Sequence, residues 1–224
     1  MFILAGALME KGGLTDRLIG FAKSVVGRRT GGLAAVTIIA CTLFGAISGS
    51  GVATTAAIGA MMIPSMIKEG YHRDFACAVT ACSGGVGAVI PPSILMIIYG
   101  ISAEVSITAL FVGGIVPGIM LAVFLITASF FVSRNRGYKT SADKITVGGI
   151  LKAAYNAKFA LFATVLILGG IYGGVFTVTE ASVVAVVYSF FIITFVYRKM
   201  NARTLMDSLV DTARISGTLI LIFS

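Results

Sequence analysis

Apolar residues in this chain come in long runs, and the interruptions inside those runs are made of small residues rather than charged ones. No charged side chain occurs from position 30 to 67, and none from 75 to 103. Runs of this length exceed the ~20 residues that a helix needs to cross the hydrocarbon core, so they predict membrane-embedded helices. The first run is interrupted at Ser48-Gly49-Ser50-Gly51. Glycine costs about 1 kcal/mol relative to alanine in a helix interior, which predicts a break between two short apolar helices, about 31–47 and about 52–67. The second run is interrupted over 83–93, by Ser83-Gly84-Gly85-Val86-Gly87 and then by Pro91-Pro92, which supply no N–H donors. It predicts one discontinuous helix over about 75–100, with the glycines unwound.

Charge placement orients these segments. The first pair of arms is flanked by Arg28-Arg29 on one side and by Lys68 and Arg73 on the other, so the positive-inside rule sends both ends to the cytoplasm. An arm of 17 residues would be about 25 Å long, short of the ~30 Å core. The length permits a re-entrant hairpin or two thin spans, and the bare polar tip favours the hairpin. Elsewhere, residues 1–9 read as the end of a span, and 15–29 as an amphipathic interfacial helix with Thr15 as its N-cap. A span follows over 105–133, an interfacial stretch over 145–158, and two connecting spans over 159–173 and 179–197. An amphipathic piece at 205–215 then leads into the truncated start of a last span. The basic loops 134–144 and 198–203 fall on the cytoplasmic side, and 102–106 on the other.

The organisation expected is a first transport repeat over 1–144, followed over 145–224 by connecting spans and the start of a second repeat. Ile220-Leu221-Ile222-Phe223 echoes Phe2-Ile3-Leu4, and the two segments run in opposite directions through the membrane, so the repeats would be inverted.

Composition agrees with this pattern. Charged residues make up 12% and hydrophobic ones 58%, against roughly a quarter charged in a soluble domain. The mean hydropathy is +1.02. The fold class is therefore an all-α polytopic membrane protein lying in a lipid bilayer. The net charge of +8 is concentrated in short loops, where it carries topology and gives no reason to expect nucleic acid. The cysteines, Cys41, Cys77 and Cys82, lie in apolar segments without metal-ligand spacing and read as buried small hydrophobes. His72 sits in a charged loop and reads as solvated. With no nucleophile paired to a base and no carboxylate cluster, the sequence points away from an enzyme, and no organic cofactor is called for.

Several motifs, spread over almost the whole chain, carry a resemblance. They are Phe2-Ile3-Leu4-Ala5-Gly6, residues 45–59, Ile63-Pro64, Gly70-Tyr71, Ile90-Pro91-Pro92-Ser93-Ile94, Tyr99-Gly100, Val116-Pro117-Gly118 and residues 169–177. In that order they resemble the first half of the large membrane (permease) subunit of TRAP transporters, the tripartite ATP-independent periplasmic transporters, in the C4-dicarboxylate and organic-acid branch. The resemblance implies Na⁺-coupled uptake of a small organic acid across the bacterial inner membrane. It also implies two partners, a small membrane subunit and a periplasmic substrate-binding protein. Val178 departs from the family pattern, which usually has proline there. Thr177 and Glu180 keep the spacing of a capping box, which is the structural role expected for Glu180.

The breaks are where chemistry is expected. Free carbonyl oxygens of unwound segments suit a hard cation such as Na⁺, which makes Ser48, Gly49, Ser50, Gly84, Gly85 and Gly87 the ion-binding candidates. The resemblance implies the same segments. Helix N-termini beginning near Val52 and Ser93 would favour an acidic substrate, with Thr54, Thr55, Ser83, Pro92 and Ser93 as its candidate contacts. Gly45, Gly59 and Gly100 read instead as residues that let helices approach closely. Two other readings use the same breaks: a single-component Na⁺/carboxylate symporter without partners, and an ion channel whose carbonyl tips form a filter.

Overall fold

Glycine or proline ends several helices of this chain, at Gly12-Gly13, Gly49 and Pro91-Pro92, although Pro64 and Pro117 lie inside helices. The computed structural model describes residues 1–26, 30–138 and 147–223, and the regular elements among them are all helical. α1 (Phe2–Lys11) ends at Gly12-Gly13, and α2 (Leu14–Val26) follows at once. α3 (Gly32–Ser48) and α4 (Gly51–Lys68) form the hairpin, each arm within one residue of its expected limits. α5 (Arg73–Val89) and α6 (Ile94–Ser102) are the two parts of the broken helix and meet at a 44° bend. α7 (Ile107–Asn135) starts on Ser106, whose hydroxyl accepts the Ala109 N–H at 3.3 Å. α8 (Val147–Tyr172), α9 (Val178–Phe191) with a π-helical turn at Ile192–Val196, and α10 (Ala202–Phe223) complete the chain.

Among the described residues four helices, α4, α7, α8 and α9 with its π turn, are long and apolar enough to cross a bilayer, and the bent pair α5 and α6 makes a fifth if counted as one span. No more than a third of any of the four is buried within the protein. α7 turns Val112, Val116, Ile119, Val123 and Phe124 outward. A contiguous apolar surface of that size is costly in water and costs nothing in lipid, so the chain is a multi-pass membrane protein.

The core gathers around the hairpin. α5 packs along both arms, α2 lies on α3 and α8, and α1 touches α3, α9 and α10. Phe44, Ile38, Ile58, Met62 and Met66 are fully buried between these layers. At the hairpin's open end, Tyr71, Phe75 and Tyr138 cluster with ring centroids 4.5 to 6.2 Å apart. The Tyr138 hydroxyl accepts the His72 N–H at 3.2 Å and an Arg136 N–H at 3.4 Å, and the Arg136 bond lowers its pKa.

The structure corrects several expectations. The glycines of the second run are not unwound: α5 continues through Gly84, Gly85 and Gly87, and the break is confined to residues 90–93. Proline removes donors outright, whereas glycine only lowers helix propensity, and buried apolar surroundings favour keeping every backbone bond. Thr15 is not an N-cap, since α2 begins at Leu14 and the buried Thr15 hydroxyl has no partner. α8 and α10 are single helices, without the division expected near 158 and 215: the first join carries no glycine or proline, and Gly217 at the second lowers helix propensity without removing a donor. At 26 residues α8 is about 39 Å long, more than the ~30 Å core requires. Cys41 is buried as expected, but Cys77 and Cys82 are exposed on one side of α5. Arg28, Arg29, Lys139 and Lys144, which the topology reading used, lie outside the described residues.

Candidate functional site

The hairpin tip is built by three residues with different tasks. Gly49 ends α3 in the left-handed region, φ 64°, and its N–H reaches the Gly45 carbonyl at 2.8 Å. Only glycine adopts that conformation without a Cβ penalty. Ser50 is extended and caps α4, its hydroxyl accepting the Ala53 N–H at 3.3 Å. The Ser48 hydroxyl lies 3.0 Å from Thr54 Oγ1 and accepts the Ser50 N–H at 3.4 Å, tying the last turn of α3 to the first of α4.

The tip is docked directly on the proline break. The Gly49 carbonyl accepts the N–H of Ile94, first residue of α6, at 3.0 Å. A Cβ on Gly49 would stand 2.6 Å from the Pro92 carbonyl oxygen. From the other side α1 closes in, since a Cβ on Gly6 would lie 2.9 Å from Ser48 Cα. Ser48 is 2% exposed and Gly49 is buried, so protein covers the end of α3, while Ser50 and Gly51 at the start of α4 are half-buried.

Within the break the Pro91-Pro92 peptide is cis. Pro91 and Pro92 stand where α-helical donors to the Gly87 and Ala88 carbonyls would be, and neither has an N–H. The Ser93 hydroxyl replaces one of them by donating to Ala88 at 2.5 Å, and it also accepts the Met96 N–H at the start of α6. The Ile90 N–H goes to Val86. The Gly87 carbonyl is thus left without a helical partner, and it sits on the turn that faces the tip.

The remaining glycines bring helix backbones into contact. A Cβ on Gly45 would lie 2.3 Å from Gly87 Cα, and one on Gly87 would lie 2.8 Å from Thr54 Oγ1. A Cβ on Gly84 would overlap the Thr55 hydroxyl, and one on Gly51 would lie 3.0 Å from the Gly84 carbonyl oxygen. The packing roles expected for Gly59 and Gly100 also hold, with Thr80 and Ile107 as the respective obstacles at 3.1 and 2.6 Å.

Of the candidates, Ser48, Gly49, Ser50, Thr54, Gly87, Pro92 and Ser93 therefore meet in one place. Gly84 and Gly85 do not offer unwound carbonyls, because both lie inside α5, and a Cβ on Gly85 would meet nothing within 4 Å. Thr55 faces Gly84, and its hydroxyl donates to the Gly51 carbonyl of its own helix at 2.8 Å. Ser83 donates to Val79 one turn back. Both hydroxyl protons are thus engaged with backbone carbonyls, which leaves their oxygens as acceptors only. The site can offer carbonyl and hydroxyl oxygens to a hard cation, and the N-termini of α4 and α6 to an anion.

Charged residues that sequence reasoning passed over stand beside the tip. A cavity of about 260 Å³ opens there, lined among others by Gly6, Glu10, Ser48, Ser50, Asp211 and Arg214. The Lys11 ammonium pairs with Asp211 at 2.6 Å, joining α1 to α10. Charges on an otherwise apolar helix were the available signal, but nothing local to either segment tells which one it meets.

Comparison with known proteins agrees with this geometry. The family model described as "Tripartite ATP-independent periplasmic transporter, DctM component" matches residues 1–224. The chain is 44% identical over 220 residues to the C4-dicarboxylate TRAP transporter large permease protein DctM of Vibrio cholerae, covering 94% of this chain and 48% of that protein. It is 42% identical over 223 residues to the isethionate TRAP transporter permease protein DctMQ of Oleidesulfovibrio alaskensis, covering 100% of this chain and 35% of that one. It is 38% identical over 220 residues to the sialic acid TRAP transporter permease protein SiaT of Haemophilus influenzae, covering 98% and 36%. The chain thus spans about a third to a half of the length of these relatives. A family model that matches every residue of a chain whose hairpin tip is seated on a broken helix leads to one conclusion: the chain belongs to the DctM component family of tripartite ATP-independent periplasmic transporters.

Proposed function

We propose that this chain supplies the first hairpin and first broken helix of a Na⁺-coupled secondary transporter for small organic acids in a bacterial inner membrane. It would work with a small membrane subunit and a periplasmic binding protein that delivers the substrate. The observation that carries the reading is the hydrogen bond from the Ile94 N–H to the Gly49 carbonyl, 3.0 Å, which holds the tip on the break. It brings two helix N-termini, at Ser50 and Ser93, together with a turn whose Gly87 carbonyl lacks its helical donor.

The two halves of that chemistry serve two ligands. Carbonyl oxygens of Ser48, Gly49, Ser50 and Gly87 suit Na⁺, which takes oxygen ligands and tolerates weak, adjustable coordination. Helix N-termini favour negative charge, and the relatives are named for C4-dicarboxylates, isethionate and sialic acid, which share an anionic group. The common feature supports an acid as substrate without choosing among acids. Gly84 and Gly85 act in this reading through packing and the surface of α5, not as ligands.

The test is Na⁺ dependence in the full-length transporter, reconstituted with its binding protein. Gly49→Ala places a Cβ against Pro92 at a left-handed φ, and should raise the half-saturating Na⁺ concentration several-fold. Ser50→Ala keeps the carbonyl and should leave that concentration close to the parent value. An unchanged half-saturation in Gly49→Ala sinks the ion assignment. Full uptake of free substrate without the binding protein would support the single-component symporter, and flux without saturation or counterflow would support a channel.

A further inference from the structure

A group of cations on the cytoplasmic side of the chain is not accounted for by transport. Arg17 of α2 donates from Nη1 to the Asn156 carbonyl of α8 at 3.2 Å, and its guanidinium lies 4.0 Å from the centre of the Tyr197 ring. Tyr197 packs edge-on against Phe159, centroids 6.2 Å apart. The Lys158 ammonium lies 5.0 Å from the same Phe159 ring and 3.7 Å from Tyr155. Lys199 comes over the α1–α2 turn, its Nζ 2.5 Å from where a Cβ on Gly13 would stand. Among the described residues none of these three cations forms an ion pair with a carboxylate. Asp16 also borders Gly13, its carboxylate 3.6 Å from where that Cβ would stand.

The positive-inside rule explains why cations lie on this side. It does not explain why Arg17 and Lys158, from distant parts of the chain, meet on the Tyr197–Phe159 pair with no carboxylate partner among the described residues, while Lys199 follows two residues after Tyr197. What lies next to them supplies the reason. Along α8, Leu151, Tyr155, Phe162 and Val165 are all more than half exposed and recur at helical spacing, and Lys158 falls on the same stripe. An apolar stripe that rises into unpaired cations at the membrane surface has the shape of one amphiphile: acyl chain along the stripe, anionic head among the cations. Arginine supplies a planar donor fork suited to a phosphate, and lysine a mobile point charge.

We propose that Arg17, Lys158 and Lys199 form a headgroup site for an anionic phospholipid of the cytoplasmic leaflet, with its acyl chain lying along Phe162 and Val165 of α8. The bound lipid would bridge α2 to α8 and so brace the helix that leads into the hairpin. A juxtamembrane cation contributes about fivefold in affinity for an anionic surface.

The experiment is native mass spectrometry of the chain purified with an equimolar mixture of phosphatidylglycerol and phosphatidylcholine. Phosphatidylglycerol should be retained preferentially, and Arg17→Gln with Lys158→Gln should weaken its retention about fivefold per cation removed. Lys68→Gln with Arg73→Gln, which removes as much charge elsewhere, should leave retention unchanged. Equal retention of both lipids, or equal loss in the two double variants, overturns the proposal. If the first double variant does not purify as a folded species, Lys158→Gln alone decides by the same fivefold criterion. Displacement of the lipid by millimolar glycerol phosphate would make this a soluble-phosphate site and would also overturn the proposal.

Discussion

Gly45→Ala tests whether the hairpin and the broken helix are held together by backbone contact. A Cβ at position 45 would sit 2.3 Å from Gly87 Cα, 3.2 Å from its nitrogen and 3.5 Å from its carbonyl carbon. Carbon atoms prefer separations of about 3.5 to 4.0 Å, and here the obstacle is main chain, which has no rotamer to escape into. α3 and α5 must therefore separate by about 1 Å or more at that level. Overpacking of this kind costs about 1–3 kcal/mol, and the upper end applies because nothing flexible gives way. Removing a helical glycine returns about 1 kcal/mol, leaving a net loss of about 2 kcal/mol. For a chain of this size that corresponds to a fall in Tm of about 4–8 °C. Gly85→Ala is the internal control: it lies in the same helix as Gly87, but its Cβ would meet nothing within 4 Å. It should stabilise by up to about 1 kcal/mol and raise Tm by about 2–4 °C. Thermal unfolding of the detergent-solubilised chain, followed by circular dichroism, compares the two. Shifts of the same sign and size would refute the claim that Gly45 marks a backbone contact while Gly85 faces open space.

Other expectations follow from single contacts. The Glu180 carboxylate accepts the Thr177 N–H at 2.8 Å while the Thr177 hydroxyl accepts the Glu180 N–H at 3.3 Å. Glu180→Ala should accordingly lower Tm measurably and Glu180→Gln little, with transport by the full-length protein following stability; loss of Na⁺ coupling in a stable Gln variant would give Glu180 an ionic role instead. Single cysteines at Asn135 and Glu104 in a cysteine-free background should label from opposite faces of the membrane with an impermeant reagent, and labelling from one face would reject the topology. The Lys11 and Asp211 side chains are 28% and 46% exposed, so a double-mutant cycle with Lys11→Met and Asp211→Asn should return a coupling of about 0.5–1 kcal/mol. A value above about 3 kcal/mol would mark a buried lock between α1 and α10.

Sequence alone determined the class of this protein and its local punctuation. Uncharged runs too long for a soluble helix required a membrane, and Ser-Gly-Ser-Gly limited the hairpin arms to within one residue of Gly32–Ser48 and Gly51–Lys68. Pro91-Pro92 required a break, and Thr177 with Glu180 specified a cap, because each acts on its own backbone neighbours. Whether Gly84, Gly85 and Gly87 unwind was not a local question. Their low helix propensity argued for unwinding, but unpaired backbone groups cost several kcal/mol each in apolar surroundings, and only the neighbouring hairpin reveals that Gly84 and Gly87 were needed for contact while Gly85 was not. The same holds for Thr15, whose capping chemistry was legible while its burial was not. Lys11 with Asp211, and Arg17 with Tyr197, meet only once helices from opposite ends of the chain pack together. Propensity and donor count act over a few residues and can be read in order. Close approach and charge pairing depend on which surfaces the fold brings face to face, and in this chain only the tertiary structure decided that.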